Sequence, residues 1–384
     1  MRRAIPLSLI AALMTCAAIG AQAASASPFG SAVVGHVYVN DNTATTNTIA
    51  GFARHADGGL TPLPGSPFTT GGAGNGAGTG SAGALQETDS GRYLLAVDAG
   101  SNQISVLRVR RDGSLEALPG GTVSSDGVEP VSIAVHRHLV YVANTGTGTG
   151  GSDYTGFVLW HGHLFPLPGS TVSLPDGADP GDVLFNSTGT LLAGTRVGTS
   201  QIDSFAVGWD GRLTAASGSP FAAQGVGPFG SEFRPTDPSQ LYVSNAHGGA
   251  GNGTVSAFRV RPSGALSSIG ASPFADDQTA PCWVEISHDG QFLFAVNTAV
   301  PSISRYAIAP NGALSLLGST PFKGGTGLGP FDARLSPDGT TLWVVDDGGN
   351  AISAFRVQGG NLTELASSPT PLPAGAKPFG IVVQ

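Results

Sequence analysis

Cysteine is nearly absent from this 384-residue chain, which has two, Cys16 and Cys282. Cys16 sits in the apolar run from Ile5 to Ile19, which follows Arg2 and Arg3 and leads into Ala21-Gln22-Ala23, the make-up of a secretory leader over residues 1–23. An exported chain keeps Cys282 alone, which excludes an internal disulfide and leaves stability to packing. Flanked as Pro281-Cys282-Trp283-Val284, that thiol reads as a small buried hydrophobe, not a nucleophile. Charge is scarce too, at 11% of residues, with 18 Lys and Arg against 26 Asp and Glu. Losing Arg2 and Arg3 leaves 16 basic residues and a formal net charge of −10, which excludes nucleic acid as a partner. The N-terminal apolar run is shorter than the ~20 residues of a membrane span, and no second candidate follows it. Helical periodicity is missing, as are the Gly-x-Ser-x-Gly, His-Glu-x-x-His and Cys-x-x-Cys motifs. His136 with His138, and His161 with His163, fall at expected turns without a third ligand, so no zinc site is expected.

What the chain does have is glycine, 58 residues of it, and a repeat. The segment Asp210-Gly211-Arg212-Leu213 followed by Ser219-Pro220-Phe221 has relatives at Gly58-Gly59-Leu60, Asp112-Gly113-Ser114-Leu115, His161-Gly162-His163-Leu164, Ser263-Gly264-Ala265-Leu266, Asn311-Gly312-Ala313-Leu314 and Gly359-Gly360-Asn361-Leu362. Seven copies spaced roughly 40 to 50 residues apart, built of short β-type runs and Gly turns, predict a propeller of four-stranded blades. Each copy holds an apolar run such as Leu241-Tyr242-Val243-Ser244-Asn245, then an alternating run such as Val255-Ser256-Ala257-Phe258-Arg259-Val260, which feeds the Gly turn as a hairpin. Ahead of most apolar runs stands a short strand opened by proline (Pro130, Pro180, Pro228, Pro281, Pro330), where a missing N–H breaks no ladder.

The first copy begins at its central run, Val37-Tyr38-Val39, and the chain ends on an unpartnered Pro378-Phe379-Gly380-Ile381-Val382-Val383. The expected fold is therefore an all-β, seven-bladed β-propeller of four-stranded antiparallel blades, with the C-terminal strand closing the first blade. The leader occupies 1–23, an N-terminal segment 24–36 and the propeller 37–384. A Gly-rich insertion over residues 69–82 interrupts the rhythm and reads as a loop, since no helix pattern follows for a phosphate cradle.

This grammar of proline-led inner strand, Ser336-Pro337-Asp338-Gly339 turn, Ile352-Ser353-Ala354-Phe355 strand and Ser-Pro-Phe close resembles the lactonase-type seven-bladed propellers. Those include propeller-type 6-phosphogluconolactonases and carboxymuconate-cyclising enzymes, and the likeness covers nearly the whole chain after the leader. It implies the fold and a lactone-directed hydrolase or cyclase. Members tend to carry Arg-His after certain inner-strand prolines and Asn-Glu at a central strand's end. Here those places read Phe331-Asp332, Cys282-Trp283 and Phe229-Gly230, and Asn245-Ala246 and Asn297-Thr298, so the family's site residues do not transfer.

In a propeller, the loops leading into inner strands and leaving central strands meet on one face around the channel, where a site is expected. Lactone opening needs a group to activate water and a cation for the developing oxyanion. Asp332 or Asp182 as base, with Arg196 and His247 as polarising groups, answers that need, and Asn144, Asn245, Asn297, Asp346 and Lys377 are the expected ligand-binding side chains. Glu232, Glu285 and Arg334 share one register of three inner strands and form either a polar ring or ordinary paired charges. No cofactor is expected, although an acidic channel would suit a divalent cation through oxygen ligands. The partner is then a small lactone or sugar acid at the channel mouth, or, for a propeller that only binds or scaffolds, a protein or glycan. The leader places the chain in the periplasm or outside the cell. Mass spectrometry of the exported protein should find its N-terminus near Ala24; retention of Met1 would remove the leader.

Overall fold

A glycine at positive φ lets the chain reverse within a few residues, and seven such hairpins set the architecture. The computed structural model describes residues 31–147 and 150–384, so the expected leader lies outside the described residues. These form seven antiparallel sheets in a ring, with one short 3₁₀ turn, Ala99–Ser101. Among the described residues no helix is long and apolar enough to cross a membrane.

The C-terminal strand Ile381–Val383 pairs with Val33–Asn40, Tyr38 facing Val382, and becomes the innermost strand of blade 1. That first strand starts ahead of the boundary expected at 37. The inner strands of blades 2 to 7 are Leu85–Glu87, Pro130–His136, Pro180–Phe185, Pro228–Arg234, Pro281–Ile286 and Pro330–Leu335. Apolar clusters fill the spaces between neighbouring blades; Val37 and Val39 of blade 1, for example, pack on Trp343, Val345 and Ile352 of blade 7.

The repeated motif has two structural duties. Tyr38, Tyr141 and Tyr242, in the second strands of blades 1, 3 and 5, donate to the carbonyls of Gly113, Gly211 and Gly312 in the next blade's hairpin turn, at 2.7, 2.9 and 2.9 Å. In five blades the outer strand breaks into two pieces that both pair with the third strand, as Leu60–Pro62 and Phe68–Thr69 do in blade 1. The serine at each break covers the gap: the hydroxyls of Ser66, Ser170, Ser219, Ser272 and Ser368 accept the third-strand amides of Gly51, Gly156, Ser204, Ala257 and Ala354 at 2.7–3.1 Å. A strand interrupted by proline thus leaves no orphaned N–H.

Ring closure depends on four residues. Ile381, Val382 and Val383 are buried, and Gln384 exchanges two backbone hydrogen bonds with His36. Deleting residues 381–384 should cost about 5 kcal/mol or more, taking ~1.5–3 kcal/mol per buried aliphatic side chain. Chemical denaturation of the truncated chain should show this as a strongly lowered midpoint.

Candidate functional site

Each inner strand pairs on one side only, so its other edge offers N–H groups to the channel, and a buried amide needs an acceptor. Side chains on the preceding blade supply them. Ser132 Oγ accepts the amide of Val183 at 3.1 Å, Asp182 Oδ2 that of Ser231 at 2.9 Å, and Glu285 Oε1 that of Leu335 at 2.8 Å. Asp332 Oδ2 accepts the amide of Gly83 at 3.2 Å, reaching blade 2 across the closing strand. Asp182 also takes the hydroxyls of Ser231 at 2.6 Å and Ser132 at 3.2 Å.

The channel therefore concentrates four carboxylates, Asp182, Glu232, Glu285 and Asp332, around one guanidinium, Arg334. Arg334 contacts Glu285 at 3.2 Å and stacks 4.6 Å from the Trp283 ring. Five charges in so little space do not all ionise near neutrality. Burial pushes Asp332 up to about 7, against the pull of Arg334 and the Gly83 amide, and pushes Asp182 up to about 6 against its hydrogen bonds. Burial, with Glu285 beside it, holds Glu232 well above the usual carboxylate range. Glu232 Oε2 and Asp332 Oδ1 are buried without a hydrogen-bond partner. Among the described residues no three His, Cys, Asp or Glu side chains converge as a metal site.

The loop face of the channel is closed. The Gly-rich insertion ends in a strap laid over the inner strands, where the Ala82 amide donates to Gly181 of blade 4 at 2.8 Å and Ser81 Oγ to Val131 of blade 3 at 2.9 Å. Gly83 is at φ +75°, and a Cβ there would lie 3.1 Å from Ser132 Oγ, so the strap needs glycine to pass. Beside it Phe229, Phe331 and Phe379 stack across the mouth, with ring centroids 6.0 and 4.9 Å apart. At the far end, where the inner strands turn back, a cavity of about 310 Å³ lies open, lined by Gln86, Glu87, Glu285, His288, Arg334 and Leu335.

The quartet expected to open a lactone divides in this geometry. Asp182 and Asp332 share the channel. Arg196 is buried in a two-bond ion pair with Asp203, both contacts 2.6 Å, and Asp203 also accepts from Tyr154 at 3.0 Å. Its guanidinium is thus held within blade 4, and Asp203 links that blade to Tyr154 of blade 3. His247 is exposed on the loop face near Asp179, outside the strap. Four of the residues expected to bind ligand are tied to the sheet through one side-chain atom each, while Oδ1 of Asn144, Asn245, Asn297 and Asp346 is buried without a hydrogen-bond partner. Asn144 donates to Asp153 and Thr155, Asn245 to Thr254 and Ser256, and Asn297 to Ser302 and Ser304, while Asp346 accepts from Ser353 at 2.6 Å. Lys377 is exposed beside Asp347. Cys282 is buried, and its thiol is pushed up to about 12. Glu232, Glu285 and Arg334 do converge, with Arg334 as the channel's cation, and their shared register was the signal for it.

Residues 190–378 match the model of a family described as lactonase, 7-bladed β-propeller. No curated protein matches the chain. Among solved structures it is similar to a provisionally assigned 6-phosphogluconolactonase from Bacteroides fragilis, at 22% identity and TM-score 0.72 over 92% of this chain and 99% of that one. A second such protein, from Bacteroides uniformis, aligns at 22% identity and TM-score 0.71, covering 90% and 98%. The periplasmic gluconolactonase of Pseudomonas aeruginosa aligns at 17% identity and TM-score 0.69, covering 91% and 98%. At these identities the structural likeness establishes the fold.

Carboxyls raised by burial make stability depend on pH in a direction opposite to that of paired surface carboxylates. Asp332 binds its proton up to about 7 when folded but near its ordinary 3.8 when unfolded, and Asp41 (about 7) and Asp346 (about 8) behave alike. Their stabilising contribution is complete below the unfolded value and is lost as pH rises through the folded one. The thermal midpoint should therefore fall between pH about 4 and 8, and Asp332→Asn should flatten that slope. A midpoint rising steadily over this window would contradict the assignment.

Proposed function

We propose that this chain, whose residues 190–378 match the lactonase seven-bladed propeller family, hydrolyses a small sugar-acid lactone at the far mouth of its channel. One observation carries this reading: Arg334 borders the 310 Å³ cavity, and Asp332, two residues earlier on the same strand, has a buried carboxylate oxygen without a partner. The lactone carbonyl oxygen would rest on Arg334, where negative charge develops as water adds to the carbonyl carbon. Asp332, ionised, takes a proton from that water. When the tetrahedral adduct collapses and the ring C–O bond breaks, the same carboxyl returns the proton to the leaving oxygen, so lactone plus water gives the hydroxy acid. A carboxyl held near neutrality by burial suits both halves of this cycle. Gln86, Glu87 and His288 are the polar groups within reach of substrate hydroxyls. Arg334 takes the part that the sequence pattern offered to Arg196.

Export through the leader at residues 1–23, to the periplasm or the medium, belongs to the same proposal, and the periplasmic gluconolactonase of similar fold supports it. Closure of the loop face by the strap favours one second reading, a propeller that binds a protein or glycan without turnover.

Hydrolysis of a panel of aldonolactones, followed by acid release, tests the reading. Activity should rise with pH through about 7. It should fall by about a hundredfold or more in Asp332→Asn and be lost in Arg334→Met. Full activity in Asp332→Asn, or none with any lactone, would overturn it.

A further inference from the structure

Position by position, the blades show which inner-strand residues the ring needs. Two residues after the proline that opens each inner strand of blades 3 to 7 stand Ser132, Asp182, Gly230, Trp283 and Asp332. Ser132, Asp182 and Asp332 each accept a backbone amide further round the ring. An indole N–H donates and cannot accept one. In blade 6 that duty passes to Glu285, two residues on from Trp283, which accepts the Leu335 amide at 2.8 Å. Blade 5 gives way as well: a Cβ on Gly230 would stand 3.2 Å from Trp283 Cε3 and 2.7 Å from the Cys282 carbonyl oxygen. The ring therefore departs from its pattern around Trp283, and the contact between inner strands does not call for an indole there.

What that indole meets is Arg334, whose guanidinium carbon lies 4.6 Å from the ring centroid. Trp283 is buried, seated in an apolar cluster with Ala82, Phe294, Ala333 and Leu335. Its Nε1 donates to Glu285 Oε2 at 3.4 Å, the same oxygen that accepts Arg334 Nη1 at 3.2 Å. Nη1 donates also to the Ala333 carbonyl at 3.3 Å. Among the described residues, no hydrogen bond uses Arg334 Nε or Nη2. A flexible cation among Asp182, Glu232, Glu285 and Asp332 gains from any of them, so charge alone does not choose its orientation. A buried aromatic face does, because it fixes the plane of the guanidinium where water is excluded.

We propose that Trp283 is a positioning residue: it holds the Arg334 guanidinium by its face, so that the Nε–Nη2 edge stays free for the lactone carbonyl oxygen instead of closing on Asp332 or Glu232. This role rests on the reading of Arg334 as the group that meets the developing oxyanion. Negative charge reaches that oxygen only as water adds to the carbonyl carbon, so a well-oriented guanidinium favours the transition state over the bound lactone. Loss of the indole should then lower kcat and leave KM nearly as it was.

Hydrolysis of the aldonolactone that the parent chain turns over, measured in three variants, tests the role. In Trp283→Leu, kcat should fall about tenfold or more with KM within about twofold. Trp283→Phe, which keeps an aromatic face, should stay within about threefold of the parent. Phe294→Leu, in the same apolar cluster, should lower the thermal midpoint and leave kcat unchanged, which separates positioning from packing. A second readout needs no substrate. In nitrogen-correlated NMR, the Arg334 Nε–Hε signal, assigned through its loss in Arg334→Met, should be shifted upfield by the indole ring current. That shift should persist in Trp283→Phe and vanish in Trp283→Leu. An unchanged kcat in Trp283→Leu, an equal loss in Phe294→Leu, or an Arg334 signal indifferent to Trp283 overturns the role of Trp283 alone. A parent chain that hydrolyses no lactone overturns the reading of the channel, and this role with it.

Discussion

The acceptance of an inner-strand amide by a side chain of the blade before it is the interaction on which this ring depends. A propeller blade ends at the channel in an unpaired edge, and seven such edges facing one another would bury many unsatisfied N–H groups. Here Ser132, Asp182 and Glu285 each reach forward to the next inner strand, and Asp332 reaches past the closing strand to the Gly83 amide just ahead of blade 2's. Without disulfides and with little surface charge, the ring is held by these contacts, by the apolar seams between blades and by one closing strand.

That solution sets the electrostatics of the channel. Carboxylates serve well as acceptors for backbone amides, but burying four of them beside a single Arg334 leaves them short of positive charge. The result is a set of carboxyls that hold protons at unusually high pH, as Asp332 does to about 7. Acid–base capacity in this channel is therefore a by-product of how blades are joined, and access decides whether it can be used. On the loop face the strap through Ala82 and Gly83, with Phe229, Phe331 and Phe379, closes that access. At the far mouth a cavity lies open, with Glu285 and Arg334 in its lining.

Strand order and blade count were legible because each rests on local chemistry. The Gly turns need positive φ, the prolines sit where no ladder bond is lost, and the strand periods follow from one-sided burial. Legibility ended at residues whose partners are distant in sequence. Arg196 has the right type and stands at the right end of its strand, yet Asp203 on the neighbouring strand takes the Nε–Nη2 edge of its guanidinium. Asn144, Asn245, Asn297 and Asp346 are each tied to a hydroxyl on the third strand, a bond that their own sequence position does not reveal. Residues 69–82 read as slack, since glycine content says that a segment can bend and not where it lies.

By itself, then, the sequence determined the all-β class, the seven blades, the closing role of residues 378–384 and the rim position of the Gly-x-Leu motif, because turn conformation, strand period and missing N–H groups act within a few residues. Only the tertiary structure decided which channel mouth is open and which carboxyls share the channel with Arg334. Those facts depend on bringing blades from opposite ends of the chain to within hydrogen-bonding distance, as Asp332 and Gly83 are at 3.2 Å, and no local rule carries that information.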